Sequence, residues 1–434
     1  MHSAAVQIHA HGATDVGRVR QLNEDHLLID EELGLYVVCD GMGGHASGDV
    51  ASRTATETVR GYLAQRRDVI AAVARGEKPP DEIAALLRHG IQSASARIHD
   101  IGQQDRTKRG MGTTCTALVI VNGKGIMGHV GDSRLYLWRG GSVYQLSEDH
   151  TFIQEAIRRG IMTPEAAAES QHKNVVTRAV GPSPSVLADT LVFDVLPDDT
   201  LLLCSDGLHG YVNAADELSR ALAPAKLADI GAQLVATSNE RGGADNITAL
   251  VLRAAATVAE AQSDRVERVT SALDALGHVV LFSELDMKEL VRVANAFRPV
   301  EYEPDQIVVR EGDASETLFV LVYGGAKVTR NGADIAVLKS GDHFGEMALL
   351  SRRPRSATVH TTKKSRLLML EKSRFYELMQ GDPVLSAKFL WRLAQTLSLR
   401  LDDVYVQHDR ESVEPEIGRM TKKYGLFPSP FDRR

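Results

Sequence analysis

The sequence predicts an α+β protein with two unlike domains. The first is a layered β-sandwich flanked by helices, and the second is a small β-barrel or jelly roll with helices of its own. Three observations lead there. A chain of 434 residues is too long for one ordinary core. Residues 6–254 mix short Val/Ile/Leu-rich runs with helical stretches, without a steady βαβ alternation. Residues 279–407 set closely spaced strands and Gly-Asp turns between helices.

In the first domain the strand candidates are Leu35–Cys39, Thr114–Val121, Gly125–His129, Leu135–Trp138, Leu201–Cys204 and Thr248–Leu252. Many are bounded by Gly or Asp. Gly48–Ala64, Glu82–Gln103 and Asp216–Thr237 carry Ala, Glu, Arg and Leu at helical spacing. Thr151–Glu169 reads as a helical, solvent-facing insertion ahead of a strand near Leu191. Residues 255–278 are the connector and leading helix: Ala254–Asp264 is Ala/Thr/Ser/Glu-rich, and Arg268–Leu276 is amphipathic. A helix over Met287–Ala296 opens the second domain proper. Asn331-Gly332, between Val328-Thr329 and Ile335-Ala336-Val337, signals a hairpin. Helices resume at Lys372–Met379 and Val384–Gln407. Residues 408–434 form a tail expected to pack poorly.

Composition narrows the class. Charged residues are 25% and hydrophobic ones 43%, ordinary for a soluble protein. A formal charge of −7 gives no electrostatic case for nucleic acid or an anionic membrane. No uncharged apolar run has the length of a membrane span, which excludes an ion channel. The N-terminus has neither the basic start nor the apolar stretch of a signal peptide. Cys39, Cys115 and Cys204 sit in apolar runs with no framework spacing, so they read as small buried side chains in a reducing cytoplasm.

Five short acidic motifs carry the chemistry. They are Asn23-Glu24-Asp25, Asp40-Gly41-Met42-Gly43-Gly44-His45, Gly131-Asp132-Ser133-Arg134, Ser205-Asp206-Gly207 and Ala244-Asp245-Asn246. Asp40, Asp132, Asp206 and Asp245 each adjoin an apolar run, which delivers carboxylates from strand ends into one site. Carboxylates gathered in a partly dry place need a counter-charge. Oxygen-only ligands suit a hard divalent cation such as Mg²⁺ or Mn²⁺. The chain therefore reads as a metal-dependent enzyme.

These motifs, together with Gly17-Arg18-Val19-Arg20, Met111-Gly112-Thr113-Thr114 and Thr177-Arg178-Ala179-Val180-Gly181, resemble the PPM (type 2C) metal-dependent serine/threonine protein phosphatases, the bacterial subtype best. The resemblance spans Thr14 to Leu252. It implies that Asp40 bridges two metal ions, with the Gly41 carbonyl on one of them, and that Asp206 and Asp245 complete the other shell. It implies a third, looser ion at Asp132, and Glu24 on metal directly or through water. Arg20 would grip the substrate phosphate. Asp25 and Asn246 are read as bracing the ligands, and His129 as a strand histidine. Met42 departs from eukaryotic relatives, which place a histidine there as proposed general acid. That leaves the proton donor open between metal-bound water and His45. Thr151–Glu169 resembles the family's flap, with Ser170 at its end a candidate for the third ion's shell.

Farther on, Gly341-Asp342-His343-Phe344-Gly345-Glu346-Met347-Ala348-Leu349-Leu350 precedes Arg352-Arg353-Pro354-Arg355-Ser356-Ala357. This resembles the phosphate cassette of cyclic nucleotide-binding domains, over roughly residues 266–407. Gly345, Glu346, Met347, Ala348, Arg355 and Ser356 are the implied binding residues. Exposed N–H groups and Arg355 would hold the cyclic phosphate, and Glu346 the ribose 2′-hydroxyl. Ser356 favours cAMP over cGMP as the regulatory ligand. Trp391, Tyr405 and Tyr424 are unranked candidates for a lid over the base.

The leading expectation is a cytoplasmic phosphatase tuned by a cyclic nucleotide. It would act on phosphoserine and phosphothreonine proteins, and a cognate serine/threonine kinase would be a partner. The alternative is a nucleotide sensor or docking protein with an inactive phosphatase-like scaffold. A transcription regulator is disfavoured by the short stretch after the last helix and by the acidic charge. Leu390, Leu393, Leu397 and Val404 form a near-heptad stripe, interrupted by Arg400, that suggests a homodimer through the C-terminal helix; packing back on the barrel is the competing reading.

Overall fold

The computed structural model describes residues 6–43, 47–163, 166–167, 175–223, 226–256, 259–314, 316–350 and 353–409. It divides into two compact units, Met1–Glu267 and Arg268–Arg434.

The strands of the first unit are β1 (Gln7–Asp15), β2 (His26–Asp30), β3 (Leu35–Cys39), β4 (Gly41–Met42), β5 (Gly112–Thr113), β6 (Cys115–Val121), β7 (Lys124–Val130), β8 (Arg134–Arg139), β9 (Ser142–Gln145), β10 (Asp189–Asp194), β11 (Thr200–Cys204) and β12 (Ile247–Ala255). Its helices are α1 (Ser47–Ala64), α2 (Arg67–Ala74), α3 (Asp81–Gln104), α4 (Phe152–Arg158), α5 (Asp206–His209), α6 (Ala215–Leu222) and α7 (Leu227–Glu240). Two antiparallel five-stranded sheets run in the orders β1-β12-β11-β8-β9 and β10-β7-β6-β3-β2. They meet through β3, β11 and β12, while α1 and α3 cover the second sheet and α6 and α7 the first. A central strand is then covered on both faces, which is why all five residues of β3 are apolar and buried. Cys39, Cys115 and Cys204 are free thiols inside these strands, fully buried.

The helix expected over Asp216–Thr237 is two helices, α6 and α7. Pro224 pushes the residue before it out of the helical region, and Ala223 sits at φ −55° and ψ 159°. β12 reaches Ala255, and α8 (Ala259–His278) occupies most of the stretch read as connector and leading helix. Its Arg265 donates to the Gly123 carbonyl and pairs with Asp194 at 2.9 Å.

In the second unit α9 (Met287–Ala296) begins with a capping box, Asp286 accepting from the Glu289 amide while Glu289 accepts from the Asp286 amide. There follow β13 (Arg298–Tyr302), β14 (Ile307–Val309), β15 (Thr317–Tyr323), β16 (Ala326–Arg330), β17 (Ala333–Leu338), β18 (His343–Phe344), α10 (Met347–Leu350), β19 (Thr358–Thr361), β20 (Ser365–Glu371), α11 (Lys372–Gly381) and α12 (Pro383–Asp409). Two antiparallel sheets, β13-β20-β15-β18 and β14-β19-β16-β17, make the expected jelly roll. The hairpin turn is present: Asn331 and Gly332 both take positive φ, 50° and 79°, as a type I′ turn requires.

Phe282, Phe297, Phe375 and Phe389 cluster with Leu385, Leu393 and the β15 residues Leu318 and Val320. This splits the suggested dimer stripe. Leu393 is buried in its own unit and Leu390 is 55% exposed, while the side chains of Leu397 and Val404 lie outside the described residues, as does the 410–434 tail. Three ion pairs fasten α12 and its start to α9 and the turn before it: Lys388–Glu289 and Arg392–Glu284 at 2.7 Å, and Arg292–Asp382 at 2.8 Å.

Lys388 and Glu289 are both buried, so removing one partner strands a charge. Lys388→Met is expected to destabilise the second unit by about 3–5 kcal/mol. Trp138 and Trp391 are the two tryptophans, one in each unit, so denaturant titration followed by Trp391 fluorescence in a Trp138→Phe background reads this unit alone.

Candidate active site

The acidic motifs converge at the ends of β3, β11 and β12. Asp40 follows β3, Asp206 opens α5 directly after β11, and Asp245 lies just before β12. Asp132 lies in the tight turn between β7 and β8. The chain is fitted closely around them. The Asp40 amide donates to Thr114 Oγ1 at 2.8 Å, and its carbonyl accepts from the Thr114 amide and from Thr113 Oγ1. A Cβ on Gly41 would stand 2.3 Å from the Gly48 carbonyl oxygen and 2.5 Å from that of Glu24, so only glycine fits. Glu24 is held by its amide on Asn246 Oδ1 (2.8 Å) and by its carboxylate on the Gly48 amide (3.1 Å). Asn246 Nδ2 donates to the carbonyls of Val16 and Leu22. Asn246 thus braces the site, as its sequence position suggested.

Electrostatics set this region apart. Burial, then the neighbouring Asp25, Asp206, Asp132 and Asp245, hold the Asp40 carboxyl well above its ordinary range. Burial pushes Asp25 and Asp132 up to about 7, with Asp206 adding to both. Asp206 is raised by burial and Asp245, and shares a hydrogen bond with Asp40. Asp25 Oδ2 accepts from Ser205 Oγ and Thr248 Oγ1, but Asp25 Oδ1 and Asp206 Oδ1 are buried without a hydrogen-bond partner. Arg20, half exposed, pairs with Asp245 at 2.7 Å.

This donor set fits divalent cations. Buried carboxylates that repel one another must either hold protons or gain positive charge, and oxygen-only donors match Mg²⁺ or Mn²⁺. Among the described residues, no three His, Cys, Asp or Glu side chains already stand as ligands around one point. Asp245 is turned to Arg20 and to the Asn246 amide, and Asp206 to Asp40. The fold presets the charge and the direction of approach rather than the final contacts.

Several partners were not singled out from sequence. His209 donates from Nε2 to the Asp132 carbonyl at 2.9 Å. Ser133 Oγ meets Thr114 Oγ1 at 2.7 Å, and His150 Nδ1 accepts from the Gly131 amide. A histidine in the sequence carries no mark of the backbone it will touch. His129 is a buried strand histidine, as read, between Thr116 Oγ1 and the Glu148 carbonyl. His45 and Ser170 lie outside the described residues.

The model of the protein phosphatase 2C family matches residues 17–252, more than half the chain. The chain belongs to the protein phosphatase 2C family. That is the PPM class of protein serine/threonine phosphatases, as the motifs suggested. The serine/threonine phosphatase stp of Listeria welshimeri is 34% identical over 248 residues, covering 56% of this chain and 95% of that protein. The solved serine/threonine phosphatase of S. agalactiae is 30% identical, covering 57% of this chain and 99% of that one, with a TM-score of 0.51. The catalytic domain of the serine threonine protein phosphatase PstP, 29% identical over 58% of this chain and 100% of that one, has been solved in complex with two manganese ions (TM-score 0.48). No helix among the described residues is long and apolar enough to cross a membrane.

The model of the cyclic nucleotide-binding domain matches residues 299–382, in the second unit. There Arg355 is 8% exposed, with Nε and Nη1 buried and without a hydrogen-bond partner. Its Nη2 donates to Thr317 Oγ1 at 2.5 Å, and its main chain is clamped to Asp313 and Gly312. Gly345 has φ +85°, and a Cβ there would stand 2.4 Å from Arg355 Nη1. Phe319 stacks on Phe344 at 5.2 Å, and the Arg355 guanidinium carbon lies 5.9 Å from the Phe319 ring centre. Glu346 and Ala348 are buried, whereas Met347 and Ser356 are exposed. Trp391 is partly buried, and Tyr424 lies outside the described residues.

The raised carboxyls have a thermodynamic signature. Asp25 and Asp132 titrate near 7 in the fold against 3.8 unfolded, so the native state holds their protons more tightly. Their stabilisation is full below the unfolded value and lost as pH rises through about 7. In EDTA the melting temperature of the first unit should therefore fall from pH 5 to pH 8. Added Mn²⁺ should raise it more at pH 8 than at pH 5, which a thermal-shift series checks.

Proposed function

We propose that this protein hydrolyses phosphoserine and phosphothreonine in proteins, and that a cyclic nucleotide bound to its second unit, cAMP in preference to cGMP, regulates it. The observation that carries the first part is the gathering of Asp40, Asp132 and Asp206, their carboxyls raised by burial and by neighbouring carboxylates, beside Asp245, with Asp206 Oδ1 buried and without a hydrogen-bond partner. Asp40, Asp206, Asp245 and the Gly41 carbonyl would hold two divalent cations, Mn²⁺ or Mg²⁺, with Glu24 nearby and Asp132 holding a third. Such ions, when bound, supply an acidified water as nucleophile and positive charge at the phosphoryl oxygens.

The chain's own residues do the rest. Arg20 stands exposed at the mouth of the site with one guanidinium nitrogen on Asp245. Its other N–H groups suit an incoming phosphate, and the Asp245 pair fixes its direction. The Thr113, Thr114 and Gly41 contacts hold the Asp40 backbone rigid, so positioning needs little reorganisation when substrate arrives. No described side chain replaces the histidine that eukaryotic relatives carry at Met42.

The regulatory part is supported by the half-satisfied, buried Arg355 guanidinium, an anion site by its chemistry. Gly345, Glu346, Met347, Ala348 and Ser356 would line the ligand with it. Domain limits of 6–254 for the phosphatase and 279–407 for the nucleotide-binding domain accord with the two compact units. The connector is then α8 itself, and a cognate kinase supplying phosphoproteins is the natural partner.

Asp40→Asn should abolish Mn²⁺-dependent hydrolysis of a phosphothreonine peptide while leaving the fold intact, and EDTA should do so reversibly. Substantial chelator-resistant activity would overturn the metal reading. Arg355→Ala should weaken cAMP binding by about 1.5–3 kcal/mol in calorimetry, the worth of a charge-assisted hydrogen bond, without changing the rate in the absence of nucleotide. Wild-type protein that binds neither cAMP nor cGMP at millimolar concentration would remove the regulatory reading.

A further inference from the structure

His150 lies between β9 and α4, 2% exposed, and the mechanism above does not use it. Each of its main-chain groups and its Nδ1 is engaged. Its amide donates to the Gly131 carbonyl at 2.8 Å, and the Gly131 amide donates back to His150 Nδ1 at 3.1 Å. Its carbonyl accepts from the Thr177 amide at 2.7 Å. The next residue, Thr151, bridges to Val176, and the Phe152 amide donates to the Val175 carbonyl at 2.9 Å. Thr151 also caps α4, and Thr177 Oγ1 donates to Glu155 of that helix.

We infer that His150 is a positioning residue that pins both ends of the 152–176 segment to the turn bearing Asp132. The imidazole holds the Gly131 amide while the His150 carbonyl holds the Thr177 amide, so one residue ties the aim of that carboxylate to the footing of the segment. Gly131 has φ +111°, and a Cβ there would stand 2.5 Å from Thr114 Cγ2, so the peptide has no side chain of its own and is oriented by its hydrogen bonds and by packing on Thr114. Beside the His150 amide on the Gly131 carbonyl, side chains clamp it: His150 on the Gly131 amide, His209 on the Asp132 carbonyl, and Thr114 and Thr116 on Ser133. Of these residues only His150 also bonds to residues 175–177, through its carbonyl.

The clamp selects a tautomer. Nδ1 accepts from an amide, so the proton sits on Nε2. That nitrogen faces Asp189 Oδ2 at 3.3 Å, and Asp189 is anchored in turn by Arg178 at 2.9 Å. An asparagine oxygen reproduces an acceptor near Nδ1, whereas the longer glutamine carries its amide to the Nε2 end. The two amides therefore separate the Gly131 bond from mere filling of the space.

The inference rests on Asp132 as a cation ligand, so the test includes Asp132→Asn. Full-length wild type, His150→Asn, His150→Gln and Asp132→Asn are compared by two measurements. One is the Mn²⁺ concentration giving half-maximal hydrolysis of a phosphothreonine peptide. The other is amide hydrogen exchange at Gly131 and Thr177 in metal-free protein. His150→Gln should raise the Mn²⁺ requirement about 10–100-fold, the usual effect of losing a residue behind a metal ligand, and should speed exchange at both amides. His150→Asn should stay near wild type in both. Asp132→Asn should shift the Mn²⁺ requirement and leave the Thr177 amide protected. His150→Asn as impaired as His150→Gln overturns the pin, as does faster exchange in His150→Gln with an unchanged Mn²⁺ requirement. An Asp132→Asn enzyme with wild-type metal dependence removes the ligand reading instead, and the exchange data alone then judge the pin. Should His150→Gln fail to fold, exchange in the wild type decides: equal protection of Gly131 and Thr177 supports the pin, and unequal protection overturns it.

Discussion

Like charges resist being brought together in a dry place, and the first unit is built around doing so. Asp25, Asp40, Asp132 and Asp206 cannot all be ionised at neutral pH unless positive charge joins them. The surrounding architecture keeps them from turning away. β3, β11 and β12 are central strands, fixed by neighbours on both sides, and their ends are where the carboxylates emerge. Glycines at 41, 131 and 207 let backbone approach where any side chain would collide. The fold supplies the energy to hold the groups, and the site recovers it by binding cations.

The second unit uses the opposite sign in the same way. Arg355 is a buried cation with two guanidinium nitrogens unanswered, where the first unit has buried anions with oxygens unanswered. Neither pocket is electrostatically complete, and each defines its ligand by the charge it lacks. That contrast explains why two unrelated scaffolds both commit charged side chains to the interior, where nonpolar ones would pack at lower cost.

Most strands and the long helices could be read from sequence, because many strands are short apolar runs bounded by Gly or Asp and the long helices keep their period. β3 and α9 matched to the residue. What escaped was decided by geometry without a local signature. β1 and β2 have half-exposed patterns typical of edges. One proline divided a helix that periodicity joined. In the site, the acidic motifs pointed directly to the carboxylates, since Asp at a strand end is conspicuous. Among the residues that bond to the backbone beside those carboxylates, His150 and His209 did not announce themselves, and Thr114 and Ser133 stood within motifs without a task of their own. Their task is to meet a backbone group brought near only by folding, and Arg20 likewise reached Asp245 across 225 positions.

The pairing of β1 with β12 has a consequence for how the protein is made. The first and last strands of the phosphatase sandwich lie side by side in register, from Gln7 opposite Ala255 to Asp15 opposite Ile247. Asp245 and Asn246 precede the last strand, and without them the Arg20 guanidinium and the Glu24 amide lose their partners. A chain emerging from the ribosome therefore carries Asp40 and Asp132 long before the residues that complete their surroundings. Such distant contacts form late and slowly. The nascent phosphatase stays inert until its final strand is released, so catalysis begins only once the whole sandwich exists.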